Sequence, residues 1–226
     1  MSYLGPIGFS ESRLENACEF HGDSYISHTP SVAASDLQHG SLSFWFRRSN
    51  LSAATRSLIS IEDTGGAPQR SLQMYISSHK LNLYIDNGPA IVTLISTETV
   101  NDTDWHHALG VFDLDNGTQA ERAKLYLDGA EVTYGTSTRP ANTTTEFMGL
   151  FKTYAHEIGR NWVPGAYFEG VMGDVQLVQG LALTPASFGK TVDSAWVWKN
   201  YTGAHGSNGL RLKFDNPADL GENSAA

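Results

Sequence analysis

The chain has 226 residues and a single cysteine, Cys18, so no disulfide can form within it and its core must be held by packing. A chain of this length buries roughly 70% of its unfolded surface, which is enough without a covalent or metal staple. Basic residues are few, 15 Lys+Arg against 24 Asp+Glu for a net charge of −9, and nowhere do they cluster. A phosphate-binding surface needs such a cluster, so nucleic acid is excluded as an expected partner. No run of about 18 apolar residues is present, and Met1 to Ser10 has neither a basic stretch nor an apolar one. The expectation is a chain made and folded in a reducing cytoplasm, with no export and no membrane insertion. On that expectation the five Asn-x-Ser/Thr sequons, at Asn50, Asn101, Asn116, Asn142 and Asn200, stay unmodified.

Charged residues make up only 17% of the chain, while glycine, serine, threonine and asparagine are plentiful, a balance that suits short strands joined by tight turns. Segment after segment alternates apolar and polar residues with period two, rich in β-branched and aromatic types. Strands are expected over 17–20, 41–48, 57–62, 72–77, 80–86, 91–97, 105–112, 123–127, 131–134, 156–158, 170–178 and 210–214. Ser78-His79 and Asp128-Gly129 suit two-residue hairpin turns. Thr184-Pro185-Ala186-Ser187-Phe188-Gly189 has the N-cap, first-turn proline and terminal glycine of a short helical connector, and a second turn is expected over 33–39. No internal repeat is visible, so the strands must close on one core. The fold class expected is all-β, a two-sheet antiparallel jelly-roll sandwich in one domain, since such folds reach roughly 200–250 residues as single units. An N-terminal arm over 1–16 precedes the sandwich at 17–188. A C-terminal extension over 189–226 packs on it and ends in a mobile acidic tail.

Three stretches taken in order, Ser41-Leu-Ser-Phe-Trp-Phe-Arg, Asp104-Trp-His-His-Ala-Leu and Lys124-Leu-Tyr-Leu-Asp-Gly, resemble the laminin G-like branch of the concanavalin A-like lectin/glucanase superfamily. Ile158-Gly-Arg-Asn followed by Tyr167-Phe-Glu-Gly-Val-Met-Gly-Asp-Val-Gln-Leu is similar to that domain's last strands. The opening Ser24 to Pro30 and the later Tyr201 to Gly209 resemble proteins of marine bacteriophages, which are usually parts of the virion. Such chains often run on beyond Leu220-Gly-Glu-Asn-Ser, whereas this sequence stops at Ala226. The resemblance implies a self-contained virion protein, a capsid decoration or short surface projection. Its implied partners are capsid or tail subunits, further copies of itself, and a host-surface glycan.

Glucanases of the superfamily carry alternating carboxylates on one strand, because retaining hydrolysis holds two carboxyl groups about 5–5.5 Å apart. No Glu-x-Asp-x-x-Glu is present, and no nucleophile elbow or P-loop, so no enzyme is expected and no catalytic residue is named. A polysaccharide-degrading enzyme on the same fold is the alternative. His106 and His107 point to opposite faces of a strand and cannot share a metal. Asp113-Leu-Asp-Asn-Gly117 reads as a turn, lacking the ligands and helices of an EF-hand. No cofactor is expected; laminin G-like domains often bind calcium through scattered loop oxygens, and that resemblance names no ligand here. The remaining candidates are aromatic, since sugar rings stack on Trp and Tyr while hydroxyls bond to Asn and Arg. Arg160, Asn161, Trp162 and Tyr167 share one loop and form the candidate ligand-binding set, although Trp162 equally suits a core edge or a subunit contact. Trp196 and Trp198 share a face outside the core pattern and are expected to clamp the extension onto the sandwich.

Overall fold

The structure, a computed structural model, describes residues 2–4, 14–32, 36, 38–63, 70–86, 91–141, 153–161 and 165–225. The strands in chain order are β1 (Ser2–Leu4), β2 (Ala17–His21), β3 (Ile26–His28), β4 (His39–Arg48), β5 (Arg56–Asp63) and β6 (Arg70–Ser77). Then come β7 (Lys80–Asp86), β8 (Ile91–Thr99), β9 (His106–Asp113), β10 (Ala123–Leu127), β11 (Ala130–Glu131) and β12 (Tyr134–Thr138). The set ends with β13 (His156–Ile158), β14 (Glu169–Gln179), β15 (Gly189–Val192), β16 (Ala195–Trp198) and β17 (Leu210–Leu212). One sheet runs β1-β2-β14-β4-β9-β10-β11 with β17 also on β14, a second runs β12-β8-β7-β6-β5-β13-β3, and β15 and β16 form a hairpin of their own. All pairings are antiparallel, and the two large sheets pack face to face as the jelly-roll sandwich expected.

The alternation read in the sequence decides which residues enter the core. Leu72, Met74 and Ile76 of β6 and Leu81, Leu83 and Ile85 of β7 point inward, and Phe44, Phe46, Ala108 and Phe112 meet them from the other sheet. β4 and β14 are buried along almost their whole length because the eight-stranded sheet is covered on both faces. On its outer face Leu109, Val111 and Val178 pack with Phe188, and Leu183 and Tyr201 close over them. The chain that follows β14, from Leu183 through Phe188 to Tyr201, therefore builds a second, smaller core, as a strand buried on both sides requires.

Two turns obey their dipeptides: Ser78 and His79 have φ of 50° and 64°, and Asp128 and Gly129 of 50° and 84°, the left-handed pair of a type I′ hairpin. Asp193-Ser194, with φ of 48° and 67°, makes a third such turn and creates the β15–β16 hairpin, which the composition did not suggest. Pro185–Ser187 is a single 3-10 turn. The expected strand over 131–134 is instead a break between sheets: Ala130–Glu131 stays on β10, while Tyr134–Thr138 crosses to β8. The expected turn over 33–39 ends where β4 begins, at His39, and residues 33–35 and 37 lie outside the described set.

The domain borders also move. Leu210–Leu212 is a strand of the main sheet on β14, and Ser2–Leu4 pairs with β2, so the sandwich draws on both segments assigned outside it. The acidic tail is tied down: Ser224 N–H donates to Arg211 O at 2.8 Å, and Asn223 accepts from Arg211 N–H at 3.0 Å and donates to Gly209 O at 3.1 Å.

Trp196 and Trp198 clamp the extension as the sequence suggests. The Trp196 indole lies in a slot between two glycines, since a methyl group at Gly129 or Gly189 would come within 2.5 or 2.3 Å of its ring. It stacks toward His107 at 6.2 Å between centroids, and Trp45 stacks on the same imidazole at 4.8 Å. Trp196 Nε1 can only donate, so its bond to His107 Nδ1 at 3.3 Å makes that nitrogen the acceptor. Nε2–H of His107 then donates to Ser43 Oγ at 2.9 Å. Trp198 Nε1 donates to Asp174 Oδ2 at 2.6 Å.

Candidate functional site

The cross-strand register lines up one row over the whole seven-stranded sheet. Ser27 pairs with Glu157, Glu157 with Ser60, Ser60 with Gln73, Gln73 with Tyr84, Tyr84 with Thr93, and Thr93 with Thr138. Their strand neighbours Ile59, Ile61, Leu72, Met74, Leu83, Ile85 and Ile158 all point into the core, so the row faces outward. Glu62 sits one step along β5 on the same face, and Tyr75 with its partner Asn82 one step along β6 and β7. On this polar and aromatic surface Ser60 and Asn82 are buried, Ser27 and Thr138 are exposed, and the others are half-buried.

The loop that follows β13 folds over one end of the row. Asn161 N–H and Ser57 N–H both donate to Ala166 O at 3.3 Å, and Phe168 N–H donates to Gly159 O at 2.8 Å, which fixes the loop against β5. Asn161, only 6% exposed, donates from Nδ2 to Gln73 Oε1 at 2.8 Å, and Gln73 donates from Nε2 to Glu62 Oε1 at 3.2 Å. Arg160 donates from Nε to Glu157 Oε2 at 2.9 Å and makes a second bond to Oε1 of the same carboxylate. Its guanidinium lies 3.7 Å from the centre of the Tyr25 ring and sits beside the Tyr167 hydroxyl. Glu157 and the neighbouring hydroxyl thereby hold Arg160 above the ordinary arginine range. Burial drives Glu62 up to about 7; the Gln73 bond opposes that and the charge of Glu157 adds to it. Ser60, Glu62, Thr153, Tyr154, Ala155, Glu157 and Arg160 line a depression of about 400 Å³, and the Tyr154 hydroxyl donates to Asp63 at 3.0 Å.

Of the four residues the sequence singled out, Arg160, Asn161 and Tyr167 meet at this place, and Trp162 lies outside the described residues. Arg160 and Asn161 spend their polar groups on Glu157 and Gln73, so they position the row as much as they face solvent. Tyr25, Glu62, Gln73, Tyr84 and Glu157 went unread as site residues. Tyr25 lies just before β3, and the signal of the other four was the outward half of each alternating strand, which becomes a site only once the register is known.

The histidine pair diverges as alternation requires. His106 lies between two carboxylates, with Nδ1 2.8 Å from Asp128 Oδ2 and Nε2 2.9 Å from Asp102 Oδ1. Asp113-Leu-Asp-Asn-Gly117 is a turn, with Asn116 N–H donating to Asp113 O at 3.0 Å. Among the described residues, His39, Asp113 and Asp115 form one group whose donor atoms could hold a metal ion.

A two-sheet jelly roll with an outward polar row places the chain in the class of lectin-like β-sandwiches. Residues 20–187 match the family described as the concanavalin A-like lectin/glucanases superfamily, and the chain belongs to it. Among solved structures it is similar to the LG4-5 domains of the mouse laminin α1 chain, at 13% identity and a TM-score of 0.52 over 92% of this chain and 50% of that one. A heptameric SAP-like pentraxin from Limulus polyphemus is similar at 15% identity and a TM-score of 0.51, covering 74% and 77%. A leech intramolecular trans-sialidase complexed with 2,7-anhydro-Neu5Ac follows at 14% identity and a TM-score of 0.53, over 78% of this chain and 27% of that one. The chain thus spans half of the laminin fragment and about a quarter of the trans-sialidase. Comparison with curated protein sequences returns no match.

Proposed function

We propose that this protein is a non-enzymatic structural component of a virion, a capsid decoration or short surface projection, that binds glycans on the outer face of its seven-stranded sheet. The observation that carries the binding reading is the row Glu157–Ser60–Gln73–Tyr84 with Tyr75 and Asn82 beside it. Aromatic faces there can stack on pyranose rings, and the amides and carboxylates can bond their hydroxyls, the combination that sugar recognition needs. The virion assignment rests on the resemblance of Ser24 to Pro30 and Tyr201 to Gly209 to phage proteins. Capsid or tail subunits and further copies of the chain are then its partners, and it is made in the host cytoplasm.

On an array of host surface polysaccharides the protein should be retained, and the double variant Q73A/Y84A should lose at least about tenfold in affinity, with an unchanged circular dichroism spectrum. Retention equal to that of the unsubstituted protein would move the site off this face. A reconstruction of intact particles without density for the sandwich would end the virion assignment.

Glu62 supports a second reading. Burial holds the Glu62 carboxyl at about 7, the range of a proton donor, and Glu157 supplies a second carboxyl group on the adjacent strand, the pair of groups that glycoside hydrolysis uses. New reducing ends from host polysaccharide, abolished by Glu62→Gln, would replace the non-enzymatic reading with this one.

A further inference from the structure

The geometry points to a site for a divalent transition metal of the zinc or cobalt type on the rim of the eight-stranded sheet, formed by His39 Nε2, Asp113 Oδ1 and Asp115 Oδ1. His39 and Asp113 are direct cross-strand partners where β4 begins and β9 ends. The turn after β9 returns Asp115 to the same place, so three donor atoms from two short segments lie within 4.8 Å of one another. His39 Nε2 is 2.9 Å from Asp115 Oδ1 and 3.4 Å from Asp113 Oδ1. Bonds of about 2.0–2.2 Å meeting at a tetrahedral centre put donor atoms about 3.3–3.6 Å apart, so both carboxylate oxygens already stand within a few tenths of an ångström of that spacing from His39 Nε2.

Two of the three donors, His39 and Asp113, are held from behind. Asp36 Oδ2 takes the hydrogen bond of His39 Nδ1 at 2.9 Å, and Asp36 Oδ1 accepts the backbone N–H groups of Gln38 at 2.9 Å and His39 at 3.1 Å. A carboxylate on the far nitrogen aims the other nitrogen at the metal and raises its basicity, an arrangement general among metal-ligating histidines. Asn116 Nδ2 donates to Asp113 Oδ2 at 2.8 Å, which leaves Oδ1 to face His39. Leu114 N–H to Gln38 O at 3.1 Å and Gly180 N–H to His39 O at 3.0 Å lock the backbone on both sides.

The donor set decides the class of ion. One imidazole and two carboxylates suit zinc, cobalt or manganese, whereas calcium and magnesium take oxygen cages. The three side chains are 27%, 30% and 49% exposed, so remaining coordination positions open to water. In the metal-free chain the proton on Nε2 bridges to Asp115, and an incoming ion takes its place and releases it.

The test uses tag-free, chelator-dialysed protein titrated with Zn²⁺ in a calorimeter and with Co²⁺ by visible absorption. One ion per chain in the micromolar range is expected. Asp115→Asn, on an exposed turn, should weaken binding about tenfold and Asp36→Asn by about 10–100-fold, with unchanged melting of the metal-free protein. His39→Ala should abolish binding, and His21→Ala should leave it unchanged. Co²⁺ added to the unsubstituted protein should shift the NMR resonances of the His39 ring, a readout that needs no variant to fold. No saturable uptake of either ion, uptake untouched by His39→Ala, or Co²⁺ shifts on another histidine would each overturn the assignment.

Discussion

Replacing Asp174 with alanine is expected to remove about 3–5 kcal/mol of stability, the largest single effect in this fold outside the apolar core. Asp174 and Arg211 form an ion pair at 2.7 Å with side chains only 5% and 7% exposed, and every polar contact around them leads back to the pair. Asp174 Oδ2 accepts Trp198 Nε1 at 2.6 Å and Gln176 Nε2 at 2.8 Å, while Arg211 donates to Tyr201 O at 2.9 Å and Asn200 Oδ1 at 2.7 Å. Alanine strands a buried guanidinium without its counter-charge and frees the indole that clamps the extension. It also forces a residue with Cβ but no polar tip into φ of 45°, where Asp and Asn are favoured. In a chain of this size the loss corresponds to a fall of about 6–20 °C in the melting midpoint. The double variant D174N/R211M keeps an acceptor for Trp198 and removes the stranded charge, so it should recover all but about 1–2 kcal/mol. A thermal or urea melt of D174A within 1 kcal/mol of the parent, on the scale that separates surface from buried ion pairs, would show the pair to be dispensable.

The second large effect is a stability maximum near pH 6.5, produced mainly by two adjacent histidines with opposite signs; Glu62, raised to about 7, offsets part of the acid loss, and His39, also raised, adds to the alkaline one. Burial opposes the charge on His106, but the Asp128 and Asp102 bonds and charges outweigh it and raise its pKa from 6.5 to about 9. Its contribution is complete below pH 6.5 and disappears as the pH rises through about 9. His107 is the reverse: burial lowers it to about 3, and His156 likewise to about 4. Unfolding lets both bind protons, so below pH 6.5 the native state loses ground with each unit. The Asp102 carboxylate, held below its usual 3.8 first by its bond to His106, adds to the acid loss only at the bottom of that range. The shift of His106 corresponds to up to about 3 kcal/mol lost between pH 6.5 and 9. His106→Gln should flatten the alkaline limb of a melting curve against pH and leave the acid limb in place. An alkaline fall that persists unchanged in that variant would remove His106 as its cause.

How much of this could be read in the sequence depends on what each feature requires. Strands such as Lys80–Asp86 and Ala123–Leu127 appear at their expected residues because their alternation and their turns agree. Several short ones escaped, unlike His156–Ile158: Ile26–His28, Ser2–Leu4 and the β15–β16 hairpin have too few residues to show a period, and the partner strand determines them. The break at Val132 and Thr133 looked like part of a strand because the change of sheet leaves no mark in local composition. For the site, Arg160, Asn161 and Tyr167 stood out because they crowd one loop. Gln73, Tyr84 and Glu157 are scattered over three strands more than 80 residues apart at the extremes, and pairing alone assembles them. His39, Asp113 and Asp115 were hidden in the same way, one a strand end and two in a turn whose DNG signature explained them already.

One edge of β14 is shared by strands from the two ends of the described chain. Leu210–Leu212 lies against Val175–Leu177, and Cys18 to His21 against Met172 to Glu169, both antiparallel to it. The last residue of β17 therefore points at the first of β2, across the kink at Gly173 and Asp174. Leu14, Glu15, Asn16, Lys213 and Asp215 line the small cavity of about 190 Å³ left between them. In space the two segments are a single strand with a gap, and the order of the polypeptide around the sandwich is a ring. A version cut open at the Asn116-Gly117 turn and sealed from Lys213 to Ala17 by a short bridge would trace the same sheets, less β1, from a different starting point.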